Sequence, residues 1–149
     1  MTRLLANRYI SVIYRYGKRF FTHALKKRKL PADAGDLPFL LQAYRNPGIT
    51  QDGIAQALGK DKGTTARCLS KMERTGLIYR EIDARDRRVN HIYPTDAAAG
   101  FQSDMFEIVD ELHAILYQGF DEEEIKTAIA LLTRMKDNIA GHIDRIKSV

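Results

Sequence analysis

A mainly α-helical chain with one small β-hairpin is predicted by three features of the sequence. Apolar residues recur at intervals of three and four over long segments at both ends. Between them lie two short helix signatures separated by a tight, glycine-containing turn. Directly after these, two strand-like runs bracket the polar turn "DARDR". At 149 residues the chain has the length of one domain and can bury a real core.

The first element is a helix over residues 3–29, with Leu5, Tyr9, Val12, Ile13, Tyr16, Phe20, Ala24 and Leu25 along one stripe. Pro31 and Gly35 in "KKRKLPADAGD" end it. The Asp36 carboxylate suits the cap of a second helix, with Pro38 tolerated in the first turn. That helix buries Leu37, Leu40, Leu41 and Tyr44 and stops at "NPG", residues 46–48. Thr50 caps "QDGIAQAL", closed by Gly59, and Asp61 caps "KGTTARCLSKMERTG", closed by Gly76. Helix, tight turn, helix is the helix-turn-helix pattern. "LIYREI" and "RVNHIYP" then read as the strands of a hairpin, with no Asn-Gly or Asp-Gly pair to fix its turn type. A helix capped by Thr95 runs on through Phe101, Met105, Ile108, Leu112, Ile115 and Leu116. The last starts at Asp121, with three glutamates beside its positive N-terminal dipole, and carries Ile125, Ala128, Leu132, Met135, Ile139, Ile143 and Ile146.

Composition narrows the function classes. No run of eighteen apolar residues spans a membrane, and the N-terminus lacks a signal-peptide pattern. Cys68 is the single cysteine, so no internal disulfide forms and a cytoplasmic protein is expected. His23, His91, His113 and His142 stand apart, so no metal and no cofactor is expected. Paired acids and bases at Glu81–Asp83 and Asp86–Arg88 sit on an exposed hairpin, with no nucleophile or Gly-rich phosphate loop nearby. Catalytic carboxylates need a desolvated cleft, so an enzyme is not expected.

The net charge of +5 hides an asymmetry. Residues 1–30 carry nine bases and no acid, residues 95–120 five acids and no base, and residues 45–94 ten bases against six acids. The first helix is therefore expected beside the helix over 95–116. On the helix over 61–76, Leu69, Ala66 and Met72 face inward, while Gly63, Thr64, Arg67, Ser70, Lys71 and Arg74 gather on the other side. Arginine can donate two hydrogen bonds to the major-groove edge of guanine, and Thr and Lys reach bases or phosphates. Gly63 allows backbone N–H groups to approach a phosphate. A solvated face explains the same residues, but the neighbours favour nucleic acid. Thr50 and Gln51 open the preceding helix, where they can touch phosphate. Arg85, Arg87 and Arg88 tip the hairpin, an arrangement suited to a narrow minor groove, with Asp86 bracing one of them. The whole is a winged helix.

The stretch from "GITQDGIAQALGKDKGTTARCLSKMERTGLIYREIDARDRRVNHIYPTDAA" resembles the DNA-binding lobe of the MarR family, named for multiple-antibiotic-resistance regulators. The match lies in the capped helix-turn-helix, the "KMERTGLI" junction, the "D-x-R-D-R-R" wing and a Thr opening the next helix. The resemblance implies one MarR-like domain over 1–149, with a lobe over 36–94 between dimerisation helices at 1–30 and 95–149. It implies a homodimeric transcriptional regulator, commonly a repressor, on a pseudo-palindromic double-stranded DNA operator. The recognition helix over 61–76 would supply Thr64, Thr65, Arg67 and Lys71, with Lys62 a further expected DNA contact, and the wing over 83–88 the pair Asp86 and Arg88. Gly53 departs from the family, which often carries a helix-favouring acid there.

The apolar stripes of the terminal helices argue independently for a two-fold dimer. Release by a small phenolic or aromatic effector is implied by the resemblance, and Arg15, Arg19 and Tyr44 are the candidates to bind its carboxylate. Two alternatives stand beside this reading. One is a winged-helix module that binds protein without reading DNA sequence; the other is a redox sensor working through Cys68, whose reactivity needs a lowered pKa and access.

Overall fold

The computed structural model describes residues 5–147, which fall into two compact units, one ending at Leu112 and the other beginning at His113. The elements are α1 (Ala6–Lys27), α2 (Leu37–Arg45), β1 (Ile49–Thr50), α3 (Gln51–Leu58), α4 (Lys62–Arg74), β2 (Ile78–Ile82), β3 (Asn90–Pro94), α5 (Asp96–Ala99), α6 (Gln102–Leu116) and α7 (Glu122–Lys147). Arg3 and Leu4, where the first helix is expected to begin, lie outside the described residues.

Three of the expected caps close as the sequence implies. The hydroxyl of Thr50 accepts the Gly53 N–H at 3.0 Å, Asp61 accepts that of Thr64 at 2.7 Å, and Thr95 accepts that of Ala98 at 3.1 Å. Gly53 has a reason to be glycine: a Cβ there would stand 3.0 Å from Thr50 Oγ1 and 3.1 Å from Ile49 Cγ1. Gly59 ends α3 in the left-handed region at φ 64°. Asp121 and Glu124 form a reciprocal box at the start of α7, each carboxylate accepting the other residue's N–H, at 2.8 and 3.1 Å.

Three expectations need correction. Asp36 makes no cap bond to α2; its buried carboxylate instead accepts the Asp33 N–H and the Lys71 ammonium. The helix expected from Thr95 to Leu116 breaks after Ala99. The Gly100 N–H is shared between the Asp96 and Ala97 carbonyls, the Phe101 N–H bonds three residues back to Ala98, and α6 restarts at Gln102. A third strand, β1, joins the hairpin, and the antiparallel sheet has the order β1-β3-β2. Two residues are too few to show alternation in the sequence.

The core lies in the first unit and is centred on α2. Leu37, Phe39 and Leu40 are fully buried with Ile54 of α3, Leu69 and Met72 of α4, Ile78 and Ile92 of the sheet, and Met105 and Ile108 of α6. Helix α1 joins it through its last turns, with Ala24 and Leu25 buried and Phe20 and Phe21 packed against them half-buried. Arg28, just past α1, meets Asp104, Glu107 and Glu111 of α6 at 3.1, 2.8 and 2.5 Å. Those acids, led by Glu107, hold its guanidinium above the ordinary arginine range. The basic start of the chain thus meets the acidic segment, as its charge implies. Farther toward the N-terminus the α1 stripe turns to solvent, with Tyr9 65% and Ile13 51% exposed. Helix α7 buries none of its residues, and its Leu132, Met135, Ile139, Ile143 and Ile146 are all exposed.

Candidate nucleic-acid interface

The N-terminal turn of α4 is built around Asp61. One carboxylate oxygen caps the Thr64 N–H; the other accepts the Thr64 hydroxyl at 2.8 Å, whose oxygen accepts Arg67 Nη2 at 3.1 Å. The Thr64 backbone bond, then its hydroxyl, holds the Asp61 carboxyl below the usual carboxylate range. Arg67 is exposed and directed by this relay. Gly63 beside it leaves the backbone uncovered: a Cβ there would meet only Arg67 Nη1 and Asp61 Oδ1, both at 3.4 Å. Lys62 is exposed and 3.6 Å from Asp52 of α3. Arg74 is exposed, and its side chain makes no hydrogen bond or ion pair among the described residues.

Three members of the expected α4 set have partners within the protein. Thr65 is fully buried and its hydroxyl donates to the Asp61 carbonyl at 2.9 Å, so it faces the core. Lys71 is drawn off the outer ridge into a pair with Asp33 at 2.7 Å and Asp36 at 2.9 Å. Burial lowers its pKa, but the two carboxylates outweigh that and hold the ammonium above the ordinary lysine range. Ser70 accepts Arg80 Nη2 at 3.0 Å, and the same nitrogen reaches the Ala66 carbonyl at 3.3 Å. Arg80, on β2, therefore ties the wing strand to α4. On the preceding helix, Thr50 spends its hydroxyl on the cap, and Gln51 is half-buried with Oε1 lacking a partner.

The wing tip is ordered by its own aspartates. Asp83 Oδ1 accepts the N–H groups of Arg85 at 2.9 Å and Asp86 at 3.0 Å, and its own N–H donates to Val89. Asp86 grips Arg88 in a fork, accepting Nε and Nη2 each at 3.1 Å and also the Arg88 N–H at 3.0 Å. The Arg88 bonds hold Asp86 below its ordinary value, and Arg88 is held above its own. The Arg88 side chain is nevertheless 91% exposed. Arg85 and Arg87 are exposed, with side chains free of partners among the described residues. Behind the tip, Tyr79 and Tyr93 stack across the strands with ring centroids 5.3 Å apart.

The expected effector residues do not come together. Arg15 bonds the Ser11 hydroxyl, Arg19 lies 5.3 Å over the Tyr16 ring, and both are exposed on α1. Tyr44 is buried, its hydroxyl donating to the Ala98 carbonyl at 2.5 Å, and burial raises its pKa. A cavity of about 700 Å³ opens between α1, the α1–α2 connection and α4. Lys18, Leu25, Lys26, Asp36, Cys68 and Lys71 are among its lining. Sequence reasoning missed the Asp33–Asp36–Lys71 cluster, Arg80 and the His91 contacts described below. The acid-rich "PADAGD" was its one available signal.

Comparison with known proteins agrees with this architecture. Residues 36–89 match the model of the MarR family. An HTH-type transcriptional regulator of Bacillus subtilis, YybA, is 28% identical over 120 residues, covering 80% of each chain. The crystal structure of a MarR transcriptional regulator from Methanosarcina mazei Go1 is 30% identical, with TM-score 0.78 over 90% of this chain and 96% of that one. The S. aureus MepR–DNA complex is 27% identical, with TM-score 0.79 over 91% of this chain and 99% of that one. With the helix-turn-helix, the arginine-tipped wing and the full-length likeness in place, the chain belongs to the MarR family of winged helix-turn-helix transcriptional regulators.

Proposed function

We propose that the protein is a homodimeric, cytoplasmic regulator that binds double-stranded DNA in a sequence-specific manner. Helix α4 enters the major groove with Thr64 and Arg67 at its leading end, and the wing carries Arg85, Arg87 and Arg88 into the adjacent minor groove. The observation that carries this reading is the pair of outward cationic groups, the Asp61-ordered Arg67 on the recognition helix and the Asp86-braced Arg88 on the wing that follows it. Lys62 and Arg74 add phosphate contacts, while Lys71 acts inside the protein. The exposed apolar rows of α1 and α7 supply the pairing surface, which makes residues 1–30 and 95–149 the dimerisation helices. Selection from a random duplex pool tests this: enrichment of a two-fold site, lost in R67A, is expected. Enrichment of no sequence would refute it.

A second reading concerns release from DNA. The cleft of about 700 Å³ places three lysines near Asp33 and Asp36, so a small organic anion there would compete for Lys71, whose own helix is α4. Thermal shift with a panel of aromatic carboxylates, repeated on K18A/K26A, measures it. A stabilisation in the parent that the variant lacks is the expected result.

A further inference from the structure

The strongest unused cluster is the one that fixes the wing to the rest of the lobe, and it converges on His91 of β3. Its Nδ1 lies 2.8 Å from the Gly48 carbonyl oxygen, and its Nε2 lies 2.8 Å from Asp83 Oδ2. Both partners are acceptors only. A neutral imidazole carries one N–H and can satisfy one of them; the imidazolium satisfies both. Gly48 belongs to the α2–β1 connection, where its N–H also donates to Ile92 at 2.9 Å. Asp83 stands at the root of the wing tip, and its other oxygen holds the Arg85 and Asp86 N–H groups. One ring therefore joins the fixed part of the lobe to the carboxylate that shapes the arginine turn.

The surroundings favour the charged ring. Across β2 its cross-strand neighbour is Glu81, and on the β1 side it is the uncharged Thr50. The helices packed on β3 carry Arg45, Asp52 and Asp96 as their charged residues; Arg45 lies over Phe106 and Asp52 pairs with Lys62. No described hydrogen bond or ion pair links any of these three to the imidazole.

We propose that His91 is a positioning residue, an imidazolium clasp that holds the arginine-tipped wing in its DNA-reading pose and loosens it when the proton leaves. The inference rests on the DNA-binding reading above. Bonding to Asp83 and then to Gly48 raises the His91 pKa above the ordinary histidine value. Its contribution is complete below about pH 6.5, the unfolded value, and is lost as pH rises through the higher folded value. Affinity for DNA should fall over that same window.

Two measurements test the clasp. Imidazole nitrogen spectra of the labelled full chain should show both His91 nitrogens protonated at pH 6; a single neutral tautomer there would overturn the proposal. Binding to a selected duplex is then followed by anisotropy at constant ionic strength from pH 6 to 9, for the parent and H91Q. The parent should lose roughly three- to tenfold more affinity than H91Q across the range, about the worth of one or two hydrogen bonds. H91Q should bind weakly at pH 6 and converge with the parent at pH 9. Equal slopes in the two proteins would overturn the clasp and leave DNA binding standing. Failure of the parent to bind any duplex at any pH would overturn the DNA-binding reading and this inference with it.

Discussion

Arg67 reaches solvent with its rotamer already restricted by Thr64 and, through it, by Asp61. Less side-chain entropy then remains to be lost on binding. Substituting it with alanine should weaken specific binding by about 1–3 kcal/mol and relax the preference at the bases it reads, as anisotropy over a panel of single-base variants would show. R88A should instead weaken binding most where the flanks are A·T-rich, a contrast that separates groove-shape reading from base reading. Tyr44 offers a control of another kind. Its hydroxyl is committed to the Ala98 carbonyl in the core, so Y44F should cost about 1 kcal/mol of stability in urea melts and leave any effector response unchanged. The wing aspartates govern the acid side of the stability profile. Asp83 is held at about 2, first by His91 and then by the Arg85 and Asp86 N–H groups. Its contribution is present above the ordinary carboxylate value and is lost as pH falls through that lowered one. Melting temperature should drop between about pH 4 and 2, and less steeply in D83N.

Helix α4 is held at both of its faces by different means. Its inner side depends on Leu69 and Met72, both fully buried, and L69A should cost about 2–5 kcal/mol by circular-dichroism melting. The neighbouring helix has its cap as well as buried Ile54 and Ala55, and T50A should cost about 1 kcal/mol. At this scale the chain was largely readable. Caps at Thr50, Asp61 and Thr95 and the glycine stops are local signals, and locally satisfied bonds obey them. What was hidden depends on residues far apart in sequence. Lys71 shares a helical ridge with Arg67, and nothing in that spacing reveals that Asp33 and Asp36 fold back onto it. Thr65 looks like one more polar residue of the ridge, yet its rotation about the axis places it against the core, with its hydroxyl returned to the helix backbone. His91 read as a lone histidine because its two partners arrive from opposite ends of the lobe.

At the scale of the molecule, charge and exposed apolar surface divide the work. Complexes of the protein with DNA should weaken steeply with salt as counterions are released, and the slope of log affinity against log salt should become less negative by about one for each phosphate-binding base removed, Lys62 and Arg74 being those to test. Pairing should depend on α7. Light scattering on I139D/I143D should report a monomer, with the winged lobe retaining its near-neutral amide protection, because neither residue contributes to the core.

Arg80 gives these two groove contacts a fixed phase. Its guanidinium, rooted in β2, holds the Ala66 carbonyl and the Ser70 hydroxyl of α4, so the wing and the recognition helix turn as one body. A ruler of constant length results. One base pair inserted between the major-groove bases and the A·T flank shifts that flank by about 3.4 Å and turns it by about 35° around the duplex. On such a duplex R88A should cost almost nothing, because the arginine would already be facing the wrong part of the helix.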